Sequence, residues 1–103
     1  MASYRIVYDI EVRRHLVAID RNYHSLIRQT IEQQLSHQPD VETRNRKPLQ
    51  RPASIGADWE LRCGPNNRFR VLYRIADTYE VYVLAVGIKD GNRLLIGGEE
   101  FEL

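Results

Sequence analysis

WELRCGPNNRFRVLYRIADTYEVYVLAVGIK, residues 59–89, is the stretch on which the fold turns. Trp59, Leu61 and Cys63 alternate with Glu60 and Arg62, and a period of two puts the apolar set on one face of a strand and the charges on the other. Gly64-Pro65-Asn66-Asn67 carries turn chemistry, because glycine and asparagine tolerate left-handed backbone and proline presets its own φ. Phe69, Val71, Tyr73 and Ile75 then share a face opposite Arg70, Leu72 and Arg74, and Ala76-Asp77-Thr78 turns the chain again. Glu80–Ile88 is nearly all apolar, which predicts a central strand. The stretch therefore reads as three consecutive antiparallel strands.

Upstream, Tyr4–Tyr8 also alternates and is rich in aromatic and β-branched residues, the pattern of a first strand. Asp9 follows as an N-cap, and Val12, Leu16 and Ile19 recur at helical spacing. After a break at Asp20-Arg21-Asn22, the residues Tyr23, Ile27, Ile31 and Leu35, joined by Leu26, line one side of a second helix that Gln38-Pro39 ends. Residues 39–57 lose all periodicity and read as a long basic loop punctuated by Pro39, Pro48, Pro52 and Gly56. Downstream, Lys89–Arg93 reads as a turn, Leu94-Leu95-Ile96 as a short closing element, and 97–103 as an acidic tail. The predicted fold is α+β: an N-terminal strand, a helical hairpin and three antiparallel strands, with the helices packed on one sheet face.

The whole chain, 1–103, is the size of one domain. Its 43% hydrophobic and 28% charged residues match water-soluble globular domains and argue against disorder or a fibrous repeat. No apolar run is long enough to span a bilayer and Met1-Ala2-Ser3-Tyr4-Arg5 lacks a secretory pattern, so a cytoplasmic protein with no membrane partner is expected. The net charge of +1 conceals a bias: 13 of the 15 cations are arginine, whose planar fork suits phosphate or carboxylate. Residues 1–56 carry +3 and residues 57–103 carry −2, with Glu99, Glu100 and Glu102 gathered at the end. That acidic tail could fold back over a basic face as an internal competitor.

Metal chemistry finds no support. His15, His24 and His37 fall on the helices without ligand spacing, and Cys63 is the lone cysteine, which excludes an intramolecular disulfide. Cys63 also shares the face of Trp59 and Leu61, the position of a core residue rather than a nucleophile. Nucleotide-cofactor glycine motifs are missing, so no cofactor is expected. What remains is a row of arginines. Arg62, Arg70 and Arg74 share the face opposite the apolar stripe, where neighbouring strands would bring them within side-chain reach. Such a row makes sense against an anion; the plainer alternative is that Glu60, Asp77 and Glu80 neutralise it on a solvated face.

Three runs, Trp59-Glu60-Leu61-Arg62, Phe69-Arg70-Val71-Leu72-Tyr73-Arg74-Ile75 and Val83-Leu84-Ala85-Val86-Gly87-Ile88-Lys89, together with the element order, resemble the RelE/ParE superfamily of bacterial toxins from toxin–antitoxin systems. The resemblance implies a RelE-like fold and a metal-independent endoribonuclease that cuts messenger RNA on the ribosome, inhibits translation and arrests growth. Arg70 matches the arginine that stabilises the transition state, Arg62 matches a strand lysine, and Lys89 matches the basic residue after Val-Gly. Fixed cations aimed at the phosphoryl oxygens act as oxyanion stabilisers do.

The departures are equally specific. Glu60 stands where RelE-like enzymes carry a second strand lysine, Leu95 where they carry a tyrosine, and Lys47 where YoeB-type relatives place a carboxylate before a Pro-Leu pair. Glu60 is left as a candidate general base, and the arginines beside it make it a weak one. ParE-like members share the fold, bind DNA gyrase and are not ribonucleases, so a gyrase-binding toxin is the alternative, as is an inactive antitoxin-binding relative. Either way the resemblance implies a cognate antitoxin as partner, with operator DNA reached only through it. The basic loop, with Arg44, Arg46, Lys47 and Arg51, could track RNA phosphates alongside Arg74 or serve as an antitoxin platform; a solvated linker is the alternative.

Overall fold

A computed structural model describes residues 3–102. Met1, Ala2 and Leu103, and so the first two residues of the N-terminal segment and the last of the acidic tail, lie outside the described residues. The elements run β1 (Arg5–Tyr8), α1 (Glu11–Val17), α2 (His24–Leu35), β2 (Arg46–Pro48), β3 (Trp59–Cys63), β4 (Phe69–Ala76), β5 (Glu80–Asp90), β6 (Arg93–Ile96) and β7 (Glu99–Phe101). The class is α+β, with the two helices on one face of the sheet. The strands are ordered β2-β3-β4-β5-β6-β7, all antiparallel along that path, and β1 adds to β5 in parallel.

Each helix is set by local chemistry and one apolar stripe. The N-cap of α1 is Ile10, one residue past the expected Asp9, and carries no side-chain bond; the Asp9 carboxylate accepts the Glu11 N–H at 2.9 Å from the position before it. Asp20 does the same for Asn22, opening a short 3-10 turn that runs into α2. Ile27, Ile31 and Leu35 are buried on α2 against Leu61, Phe69, Val71 and Tyr73 of the sheet, as their spacing requires. Leu26, expected to join them, lies outside the core and is 40% exposed, because its position on the turn faces away from the sheet. The two helices are tied by His24, whose Nε2–H is shared between the carbonyls of Leu16 and Ile19 at 2.9 and 2.8 Å. His37, placed on a helix by periodicity, falls just past the end of α2.

β5 is central, as its apolar run predicts. One edge pairs with β4; the other is shared by β1 over Glu80–Val83 and β6 over Gly87–Asp90. Leu72 lies opposite Ala85 and Tyr73 opposite Val83, so Leu84 is an extra residue on β5. This bulge lets Val81, Val83 and Val86 all face the helices while Ala85 turns to the other side. Between the segments claimed by β1 and β6, the backbone N–H of Val86 has no strand to meet. It donates to Nδ1 of buried His15 on α1 at 3.3 Å.

One expectation is corrected. The stretch 39–57 is not one loop: Arg46–Pro48 forms β2 against β3, and three residues ending in proline leave no alternation to read. Ala53 and Ala57 from the same stretch are buried with Leu72, Ala85, Leu94 and Ile96 in a second, smaller core. The sheet face opposite the helices is therefore partly covered. The acidic tail, expected as a segment that could fold back over a basic face, is held as a strand: Glu99–Phe101 pairs with β6 across Gly97-Gly98, both at positive φ (61° and 82°), a backbone that glycine adopts without strain.

Candidate functional site

The covered face holds a polar cleft of about 330 Å³, bounded by Glu60 of β3, Arg70 of β4, Lys89 of β5, Leu94 of β6 and Glu100 and Phe101 of β7. Five strands contribute, β3 to β7 in their order across the sheet. Gly87 is the register partner of both Arg70 and Ile96, and a Cβ there would stand 2.7 Å from the Leu95 carbonyl oxygen. Its missing side chain lets β6 close against β5 and bring β7 to the cleft.

Arg70 is held from two sides. Its Nε donates to the Asn67 carbonyl at 3.1 Å and its Nη1 to Glu60 Oε1 at 3.4 Å, and its side chain is 13% exposed. Asn67 belongs to the Gly64–Asn67 turn, which Gly64 makes possible: at φ 81° it packs where a Cβ would lie 2.3 Å from the Phe69 ring. Glu60 also accepts from Arg62 Nε at 3.1 Å, so one nearly buried carboxylate holds two guanidiniums that face each other across the strand pair. Arg62 stands beside the cleft and is tied to Glu60. Lys89 lines the cleft itself, its backbone N–H fixed on the Arg68 carbonyl at 2.7 Å.

The remaining expected cations are elsewhere. Arg74 lies at the far end of β4, stacked over the Tyr82 ring at 4.4 Å, and does not join Arg62 and Arg70, since four residues of strand separate it from Arg70. Glu80, a candidate to neutralise the arginine row, is ion-paired to Arg5 of β1 instead. Hydrogen bonds from Arg5, Thr78 and Tyr82 hold its carboxyl down to about 2. Arg46 is buried: its guanidinium donates to the Val41 carbonyl and to the carbonyl and Oε1 of Gln34, so it latches the 39–57 stretch to α2 and presents no free face to RNA. Tyr73 anchors the start of that stretch, its buried hydroxyl donating to the Pro39 carbonyl at 2.7 Å. Lys47 lies opposite Glu60 in the strand register and reaches Glu42 at 3.8 Å, while Arg44 and Arg51 are exposed.

Periodicity missed the far wall of the cleft. Leu94, Glu100 and Phe101 reach it only through the β6–β7 hairpin, whose one sequence signal is the Gly97-Gly98 pair between two short runs. Cys63 is buried, as its place beside Leu61 indicates, and burial pushes its thiol up to about 11. Among the described residues no group of three His, Cys, Asp or Glu side chains is arranged to hold a metal, and no helix is long and apolar enough to cross a membrane.

No family model and no curated protein matches the sequence. The structure is similar to a chain in the crystal structure of the toxin–antitoxin complex RelBE2 from Mycobacterium tuberculosis, with a TM-score of 0.63 and 26% sequence identity over 84% of this chain and 99% of that one. The fold is that of a RelE-type toxin. In this RelE-type fold the cleft lies on the sheet face turned away from the helical hairpin, and the last strand, β7, forms its outer wall.

Proposed function

We propose that this chain is the toxin of a toxin–antitoxin pair and a metal-independent endoribonuclease that cuts messenger RNA on the ribosome, thereby inhibiting translation and arresting growth. The observation that carries the reading is the convergence of Arg70 and Lys89 on one cleft, with Arg70 held in place by the Asn67 carbonyl and by Glu60. In the reaction the ribose 2′-oxygen loses its proton and bonds to the adjacent phosphorus, and the bond from phosphorus to the 5′-oxygen breaks as that oxygen gains a proton. Negative charge builds on the phosphoryl oxygens, where a guanidinium and an ammonium already in place stabilise it without reorganising. Glu60, engaged by both Arg62 and Arg70, serves as the residue that positions them. The similarity to a chain of a toxin–antitoxin complex supports a cognate antitoxin as partner, through which operator DNA is reached.

A second reading is favoured by two observations: among the described residues the only buried carboxylate, Glu60, is already ion-paired to Arg70, and Leu95 occupies the position of the expected tyrosine. A gyrase-binding toxin needs neither group. The test is cell-free translation of a defined message with the protein or its Arg70→Ala variant, mapping new RNA 5′ ends. Cleavage within codons that needs ribosomes and falls at least a hundredfold in the variant is the expected result, the scale of losing one oxyanion donor being about 10²–10³. An intact message under conditions where expression stops growth sends the assay to gyrase supercoiling.

A further inference from the structure

Lys89, Leu94 and Phe101 form one cross-strand row, Lys89 opposite Leu94 and Leu94 opposite Phe101. Phe101 therefore stands two strand spacings, ~10 Å, from Lys89 along the cleft. It is half-buried and lines both this cleft and the adjoining cavity of about 360 Å³, so it forms the partition between them. Arg70 and Lys89 line the cleft from the inner strands β4 and β5, while its outer side is lined by Arg93, ion-paired to Asp90, and by Glu100, Phe101 and Glu102. A phosphate is held at the inner cations, and a base with a π-face suits the outer side, where the Phe101 ring gives it a surface to stack on.

We propose that Phe101 is the base-stacking platform of the cleft, and that the ligand is a single-stranded nucleotide with its phosphate at Arg70 and Lys89 and its base against Phe101. The proposal deepens the ribonuclease reading and rests on it for the class of ligand. It is tested by binding a labelled short single-stranded RNA and an abasic RNA of equal length and charge to the full chain, at fixed low salt. The wild type is expected to bind the base-bearing RNA on the order of tenfold more tightly than the abasic one. Phe101→Leu keeps an apolar contact with Leu94 and is expected to lose that gap while its affinity for abasic RNA is unchanged; Phe101→Trp, which restores an aromatic face, keeps the gap. A gap that survives in Phe101→Leu overturns the proposal, and so does a wild type that binds both RNAs equally. Failure of the wild type to bind either RNA also overturns the proposal, while the ribonuclease reading it rests on stands or falls separately with the cleavage assay on ribosomes.

Discussion

Glu60 Oε1 accepts from both Arg62 and Arg70, so a single buried carboxylate offsets the repulsion of two cations placed opposite each other on β3 and β4. Glu60→Gln keeps the shape and removes the charge. It is expected to lower stability by about 1–3 kcal/mol in urea denaturation, the scale of losing charge-assisted hydrogen bonds in a buried setting, while raising the affinity of the cleft for RNA. His15 is the second residue whose role is electrostatic. Burial, and then the charge of Arg14, lower its pKa below the ordinary value, and its Nδ1 must stay unprotonated to accept from Val86. The unfolded chain binds a proton near pH 6.5 that the folded chain resists. This contribution to stability is therefore complete above about pH 6.5 and is lost progressively as the pH falls below it. Urea midpoints measured from pH 8 to pH 5 should fall more steeply for the wild type than for His15→Gln, which keeps an acceptor and does not titrate. Alternation puts Arg62 and Arg70 on one face, and the Gly64–Asn67 turn between their strands makes them neighbours in the sequence reading. The contact of His15 with β5 was not, since 71 residues separate the partners and no local pattern links them.

Among the elements, α2, β3, β4 and β5 follow from periodicity because each has one face in the main core, and burial on one face imposes a period on the sequence. The short strands leave no such trace. β2 pairs through three residues that include a proline, and β7 is Glu-Glu-Phe, two residues of which are poor strand formers; both are strands because a neighbouring edge is available to them. The β6–β7 hairpin depends on Gly87, where a Cβ would meet the Leu95 carbonyl oxygen at 2.7 Å, a backbone atom that cannot swing aside. Gly87→Ala is expected to lift β6 from β5 at a cost of about 1–3 kcal/mol. Hydrogen exchange should show lost protection over Arg93–Phe101 with β3 and β4 unchanged, and RNA affinity should fall because Lys89 loses the wall opposite it.

For the molecule as a whole, charge follows strand order. Arg70 and Lys89 share the cleft because Arg70 pairs with Gly87, two residues before Lys89 on β5, and the β6–β7 hairpin brings Glu100 and Glu102 to the same cleft. They oppose any polyanion there over several ångströms. Glu100→Gln combined with Glu102→Gln is expected to raise RNA affinity several-fold at low salt, with the gain shrinking as ionic strength rises and screening shortens the reach of the removed charges. Filter binding across a salt series measures both. The sequence by itself determined the fold class, the order of the main elements, the apolar face of each and the resemblance to the RelE/ParE superfamily, because those depend on local period and on short runs. Which cations share a cleft was decided by the tertiary structure. Arg70 and Lys89 meet while Arg74 and Arg46 do not, and only strand register, the bulge at Leu84 and the packing of 49–57 into the sheet make that separation. These are pairings between residues distant in the chain, and alternation reports which face a side chain takes, never which partner waits there.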